Sequence, residues 1–197
     1  MIENYFSLPL FIEVNEKYDL FYDETEKAIS ETRREGWGND KFISKLVNGQ
    51  RPNFLEHFNL HLKRYIEHCA SSYVFQTKWS FIKPDTDYEA VVEESWVNID
   101  GKGSYQQAHV HPQGIISGIY YHQCDGDEGD VVFYNPIPYI QYGQFPENVY
   151  TCGGELPIPL QKGKLLLFPS WLQHRTNCNQ TDKERISLAF NISVKEK

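Results

Sequence analysis

From Tyr73 onward the chain breaks into short runs of aromatic and β-branched residues separated by turn formers, and that spacing constrains the fold more than any other feature. Tyr73–Ile82, Ala90–Ile99, Ile115–His122, Val131–Tyr134, Lys164–Phe168 and Arg185–Val194 read as strands. Lys83-Pro84-Asp85, Asp125-Gly126-Asp127-Glu128-Gly129, Asn135-Pro136 and Gly153-Gly154 supply the breaks between them. Thirteen Tyr, 12 Phe and 4 Trp suit such strands and the walls of pockets. Many short strands after a helical start predict a mainly β jelly roll with N-terminal helices packed on one sheet.

The helical start is residues 1–70. Asn15 to Glu35 carries an amphipathic pattern that Gly36-Trp37-Gly38-Asn39-Asp40 stops. Pro52 opens a second helix running through Phe54, Leu55, Phe58, Leu62, Tyr65 and Ile66, whose spacing of three or four residues gives it one face to bury. His57 and His61, four apart on that helix, have the spacing to clip a metal, but no HExxH glutamate accompanies them. They read as a partly solvated helical face. With no repeat, linker or low-complexity tract, 197 residues predict one domain: a helical part over about 1–72 and a β core over about 73–194.

Nineteen basic against 27 acidic side chains leave a formal charge of −8. That balance repels phosphate backbones and anionic lipid, so nucleic acid and membrane are poor partners. No apolar run reaches the roughly 18 residues of a membrane span. Met1-Ile2-Glu3-Asn4-Tyr5-Phe6 lacks the basic and apolar regions of a signal peptide. Cys69, Cys124, Cys152 and Cys178 form no CxxC pair, which speaks against a zinc site and for reduced thiols in the cytoplasm.

The chemistry concentrates in His109-Val110-His111, His174 and Arg185-Ile186-Ser187. Histidines two apart on a strand point the same way, and a third from a later strand closes one side of a metal ion while leaving the other open. In the last strand Arg185, Ser187, Ala189 and Asn191 share one face, and Ile186, Leu188, Phe190 and Ile192 the other. Arg185 can grip a carboxylate through two parallel hydrogen bonds, and if buried it requires an anion, native or bound. Ser187 can donate to the same carboxylate. Tyr121, sharing a face with Ser117 and Ile119, offers a phenol or merely packs in the core. Asn98, Trp96 and Trp171 are pocket candidates, with core packing an equal explanation for the tryptophans.

Taken together these residues resemble the 2-oxoglutarate and Fe(II)-dependent oxygenase superfamily, which folds as a double-stranded β-helix. Its motif is His-x-Asp…His followed by Arg, often Arg-x-Ser, and His109, His174, Arg185 and Ser187 fall on those positions in order. The sequence is most similar to a small phage and bacterial branch. The motifs carrying this are Trp96-Val97-Asn98, His109-Val110-His111-Pro112, Ser117-Gly118-Ile119-Tyr120-Tyr121, Phe168 to His174, and Phe190-Asn191. The resemblance spans about residues 75–193. It implies Fe(II) on His109, His111 and His174, and 2-oxoglutarate as co-substrate on Arg185, Ser187, Tyr121 and Asn98. It also implies a dioxygenase that hydroxylates a substrate with release of succinate and CO2. His111 stands where the wider superfamily has its aspartate, so a carboxylate from Glu128 or Asp130 is the alternative third ligand.

Two other classes remain. A cupin shares the glycine-to-histidine spacing of Gly103 to His109, but Pro112-Gln113-Gly114-Ile115 lacks the glutamate that should follow. A non-catalytic β-sandwich that binds a partner would need neither metal nor co-substrate. The primary substrate and the oligomeric state are not legible.

Overall fold

The computed structural model describes residues 8–33, 41–43, 53–77, 83, 86–112, 114–137 and 154–197. Thirteen elements follow in order: β1 Phe11–Val14, α1 Asp19–Arg33, β2 Lys41–Ile43, α2 Phe54–Phe58, α3 Leu60–Thr77, β3 Tyr88–Asp100, β4 Gln106–His109, β5 Ile116–Gln123, β6 Val131–Tyr134, β7 Glu155–Ile158, β8 Lys164–Pro169, β9 His174–Thr176 and β10 Arg185–Glu196. They form a six-stranded sheet in the order β1-β8-β5-β10-β3-β2 and a four-stranded sheet in the order β4-β9-β6-β7.

Each sheet face follows from the alternation of its strands. Ile186, Leu188, Phe190 and Ile192 of β10 join Ala90, Val92, Ile116, Tyr120, Leu165 and Leu167 on the outer face of the large sheet. That face meets the apolar stripe Leu62, Ile66, Cys69, Ala70, Tyr73 and Val74 of α3. A second core containing Tyr121, Val131, Phe133, Leu166, Phe168 and Leu172 fills the space between the two sheets. Gly118 makes the outer layer possible, because a Cβ there would sit 2.3 Å from the ring of Phe190. The predicted jelly roll with helices on one sheet is what forms.

Several expected elements differ. The single helix expected to run through residues 54–66 is two, because Asn59 interrupts it. Its side chain accepts from Leu62 N at 2.9 Å, capping α3, and donates to Phe21 O and Thr25 Oγ1. The strand expected at Tyr73–Ile82 is wrong through Thr77, since α3 continues that far. Its buried positions keep the helical period through Tyr73 and Val74, and packing overrides the local β preference. The segment 1–70 is not wholly helical either: β1 pairs with β8 from Phe11↔Leu167 to Val14↔Lys164, and β2 pairs with the end of β3. The breaks at Gly36–Asp40, Pro84-Asp85 and Gly153, the start at Pro52, Cys152, residues 78–82 and the first six residues lie outside the described residues.

Candidate metal centre and its flanking cleft

Strand pairing in the small sheet creates the histidine cluster. His109 ends β4, His174 begins β9, and the two are direct Cα partners. His111 lies two residues past β4, where its backbone N–H donates to Ser170 O at 2.8 Å. Ring centroids are 4.3 Å apart for His109 and His174, 5.1 Å for His109 and His111, and 5.2 Å for His111 and His174, whose planes differ by only 4°. One ligand nitrogen from each ring lies within 4.8 Å of the others. Trp96 stacks on His111 at 5.9 Å, and Phe168 meets His174 edge-on at 4.7 Å. Rings walled in this way have few other orientations.

Hydrogen bonds then orient two of the rings. His109 Nδ1 contacts Gln107 O at 2.7 Å, and His174 Nδ1 contacts Leu172 O at 2.9 Å. A carbonyl oxygen only accepts, so both Nδ1 atoms carry a proton, and Nε2 is the ring nitrogen turned toward a ligand. Burial pushes the His174 pKa down to about 3, against the opposing hydrogen bond to Leu172, and the neighbouring His109 and His111 lower it further. Burial thus favours the neutral form of His174, the state in which an imidazole binds a divalent transition metal. Among the described residues no carboxylate joins the three imidazoles in this cluster. Glu128, the alternative third ligand, instead accepts from Asp125 N and Gly126 N at 3.0–3.1 Å and holds its own turn together. His57 and His61 also form no metal cluster among the described residues, and His61 pairs with Glu24.

The inner face of the large sheet carries the other candidate residues. Register places Asp100 beside Arg185, then Asn98 beside Ser187 and Tyr121, then Trp96 beside Ala189 and Ile119. Arg185 is only 1% exposed. The anion its burial demands is native: Nη2 donates to Asp100 Oδ2 at 3.0 Å and to Thr176 Oγ1 at 3.2 Å. Nη1 donates to Glu128 O at 3.0 Å and to Gly129 O. Tyr121 lies one row along, with its hydroxyl buried and without a hydrogen-bond partner among the described residues. Burial pushes the Tyr121 pKa well up, while the charge of Arg185 pulls against it. An orphaned donor beside a buried cation fits a carboxylate ligand. Trp171, by contrast, is 56% exposed.

Asp100 is the partner of Arg185 that the sequence reading missed. Its signal was present: it shares a strand face with Asn98 and Trp96 by simple alternation. What the sequence could not provide was the pairing with Arg185, 85 residues away.

Residues 94–191 match the model of a family described as "Putative 2OG-Fe(II) oxygenase". No curated protein matches the sequence. Among solved structures, a prolyl-4-hydroxylase from Pseudomonas putida is similar over 94% of this chain and 92% of its own, with 13% identity and a TM-score of 0.59. HygX from Streptomyces hygroscopicus, solved with nickel and 2-oxoglutarate bound, is similar over 94% and 83%, with 10% identity and a TM-score of 0.58. The α-ketoglutarate-dependent carbocyclase SnoK of nogalamycin biosynthesis is similar over 94% and 79%, with 10% identity and a TM-score of 0.60. At such identities the likeness establishes the fold, a double-stranded β-helix.

Proposed function

Because this chain belongs, through residues 94–191, to the 2OG-Fe(II) oxygenase family, we propose that it is a dioxygenase that hydroxylates an organic substrate. In this reading 2-oxoglutarate, dioxygen and a substrate C–H bond give succinate, CO2 and the corresponding alcohol. His109, His111 and His174 hold Fe(II), and Arg185, Ser187, Tyr121 and Asn98 receive 2-oxoglutarate. The observation that carries the reading is the convergence of three ligand nitrogens within 4.8 Å.

Iron bound at those nitrogens supplies the means to activate oxygen with electrons drawn from the co-substrate. The chain's own part is positional. Gln107 O and Leu172 O orient His109 and His174 by accepting their Nδ1 protons. Trp96 and Phe168 wall the cluster with apolar surface, which keeps bulk water from its inner side. Tyr121 and Ser187 present hydroxyl donors on the row next to Arg185, where the remote carboxylate of the co-substrate can be held. No described helix is long and apolar enough to cross a membrane. Free thiols at Cys69, Cys124 and Cys178 support a reducing compartment such as the cytoplasm.

The test is conversion of 2-oxoglutarate to succinate without added substrate, a slow side reaction open to such a centre. Succinate should form only with Fe(II) and oxygen present, and His174→Ala should abolish it. Succinate formation without metal, or none under any condition alongside no metal uptake, contradicts the assignment.

A further inference from the structure

The cation expected to receive the co-substrate already has a carboxylate beside it. Asp100 and Arg185 are Cα partners across β3 and β10, and both are buried, at 4% and 1% exposure. Each terminal nitrogen of the guanidinium has two protein acceptors: two backbone carbonyls on Nη1, and Asp100 with Thr176 on Nη2. A second carboxylate brought to this group would meet a neutralised ion pair rather than a free positive charge.

The two sides of the guanidinium differ in what can leave. The Nη1 acceptors belong to a turn held by the Glu128 carboxylate and by Gly129, whose φ is 91°. That turn is backbone locked against backbone, since a Cβ on Gly129 would lie 2.5 Å from Asn177 O. On the Nη2 side the acceptors are side chains, which move by rotation about single bonds. The adjoining row on the same sheet face carries the unpartnered Tyr121 hydroxyl.

We propose that Asp100 is an internal counter-anion of the co-substrate pocket. It neutralises Arg185 in the free protein, and the remote carboxylate of 2-oxoglutarate takes its place at Nη2 while accepting from Tyr121. Asp100 thereby sets how tightly a dicarboxylate is held, and it keeps a buried arginine satisfied between turnovers. This inference rests on the co-substrate reading above.

Calorimetric titration of 2-oxoglutarate into Ni(II)-loaded protein tests it without turnover. Asp100→Asn keeps the size of the side chain and an acceptor oxygen but removes the competing charge. It should tighten 2-oxoglutarate binding about tenfold, whereas pyruvate, which lacks the remote carboxylate, should bind as it does to wild type. Unchanged or weaker 2-oxoglutarate affinity, or an equal gain for pyruvate, overturns the inference. A lone buried arginine can prevent folding, so the tolerant comparison is Arg185→Lys with and without Asp100→Asn, because a buried lysine can shed its proton. Removing the Asp100 charge should again tighten 2-oxoglutarate binding, and equal affinities in that pair overturn the inference. Absence of saturable 2-oxoglutarate binding by the wild type overturns the co-substrate reading as well. Binding that ignores Asp100 overturns this inference alone.

Discussion

The histidine cluster and the arginine site satisfy their polar groups in opposite ways. At the histidine end, three imidazoles face one another, and backbone carbonyls set the tautomers of His109 and His174. At the arginine end, every terminal N–H already has a protein acceptor and the charge is balanced by Asp100. The difference teaches that preorganisation has two forms. Neutral donors can wait in a buried site at small cost, because an unprotonated imidazole carries no charge to desolvate. A guanidinium cannot be deprotonated, so the fold must supply its anion before any ligand arrives.

Removing a donor from the histidine end should have the largest effect on ligand binding. His109→Ala or His174→Ala should weaken Fe(II) or Ni(II) binding by more than the roughly hundredfold loss that follows removal of an outer hydrogen-bond partner, while the protein stays folded. Metal stoichiometry after equilibrium dialysis reads this out, and unchanged stoichiometry would erase the contrast between the ends. At the other end Arg185→Met should leave metal binding intact but cost stability, about 3–5 kcal/mol, because Asp100 is left buried without its cation. Urea denaturation measures that cost, and 2-oxoglutarate affinity should fall in the same variant.

Acid should separate the ends more gently. His174 has a folded pKa of about 3 against an unfolded value near 6.5, so the unfolded chain takes up the proton first. Its contribution to stability is complete above about pH 6.5 and declines as pH falls through that window, by about 2 kcal/mol near pH 5. The urea midpoint of metal-free protein should drop accordingly, and a flat midpoint would mean His174 is not held neutral. Smaller still is Tyr121→Phe. Its hydroxyl has no described partner, so stability should not fall, yet 2-oxoglutarate binding should weaken about tenfold. Least disturbing is His111→Asp, which restores the superfamily carboxylate and should retain metal; loss of metal there would give His111 a different task.

What the sequence revealed divides along the same line between local and distant cause. Strands β3, β5, β6, β8 and β10 were legible because their alternation is written in consecutive residues. The histidine cluster was legible from its spacing, His-x-His with a third histidine after a turn, although β4 ends at His109 and His111 lies beyond the strand on which both were expected. The short strands β1, β2 and β7, each of three or four residues, were not, since their pairing and not their composition makes them strands. Val74 and Phe75 have β-forming side chains but continue α3 for one more turn. Asp100 stayed hidden because an ion pair across 85 residues leaves no mark on either neighbourhood.

Titrating 2-oxoglutarate calorimetrically into the protein under anaerobic conditions, with and without Fe(II), tests the metal-centred cleft most directly. The expected result is saturable binding with Fe(II) and weak or undetectable binding without it, lost in His174→Ala. Equal binding in both conditions, or none with a fully iron-loaded protein, would contradict an oxygenase centre at His109, His111 and His174.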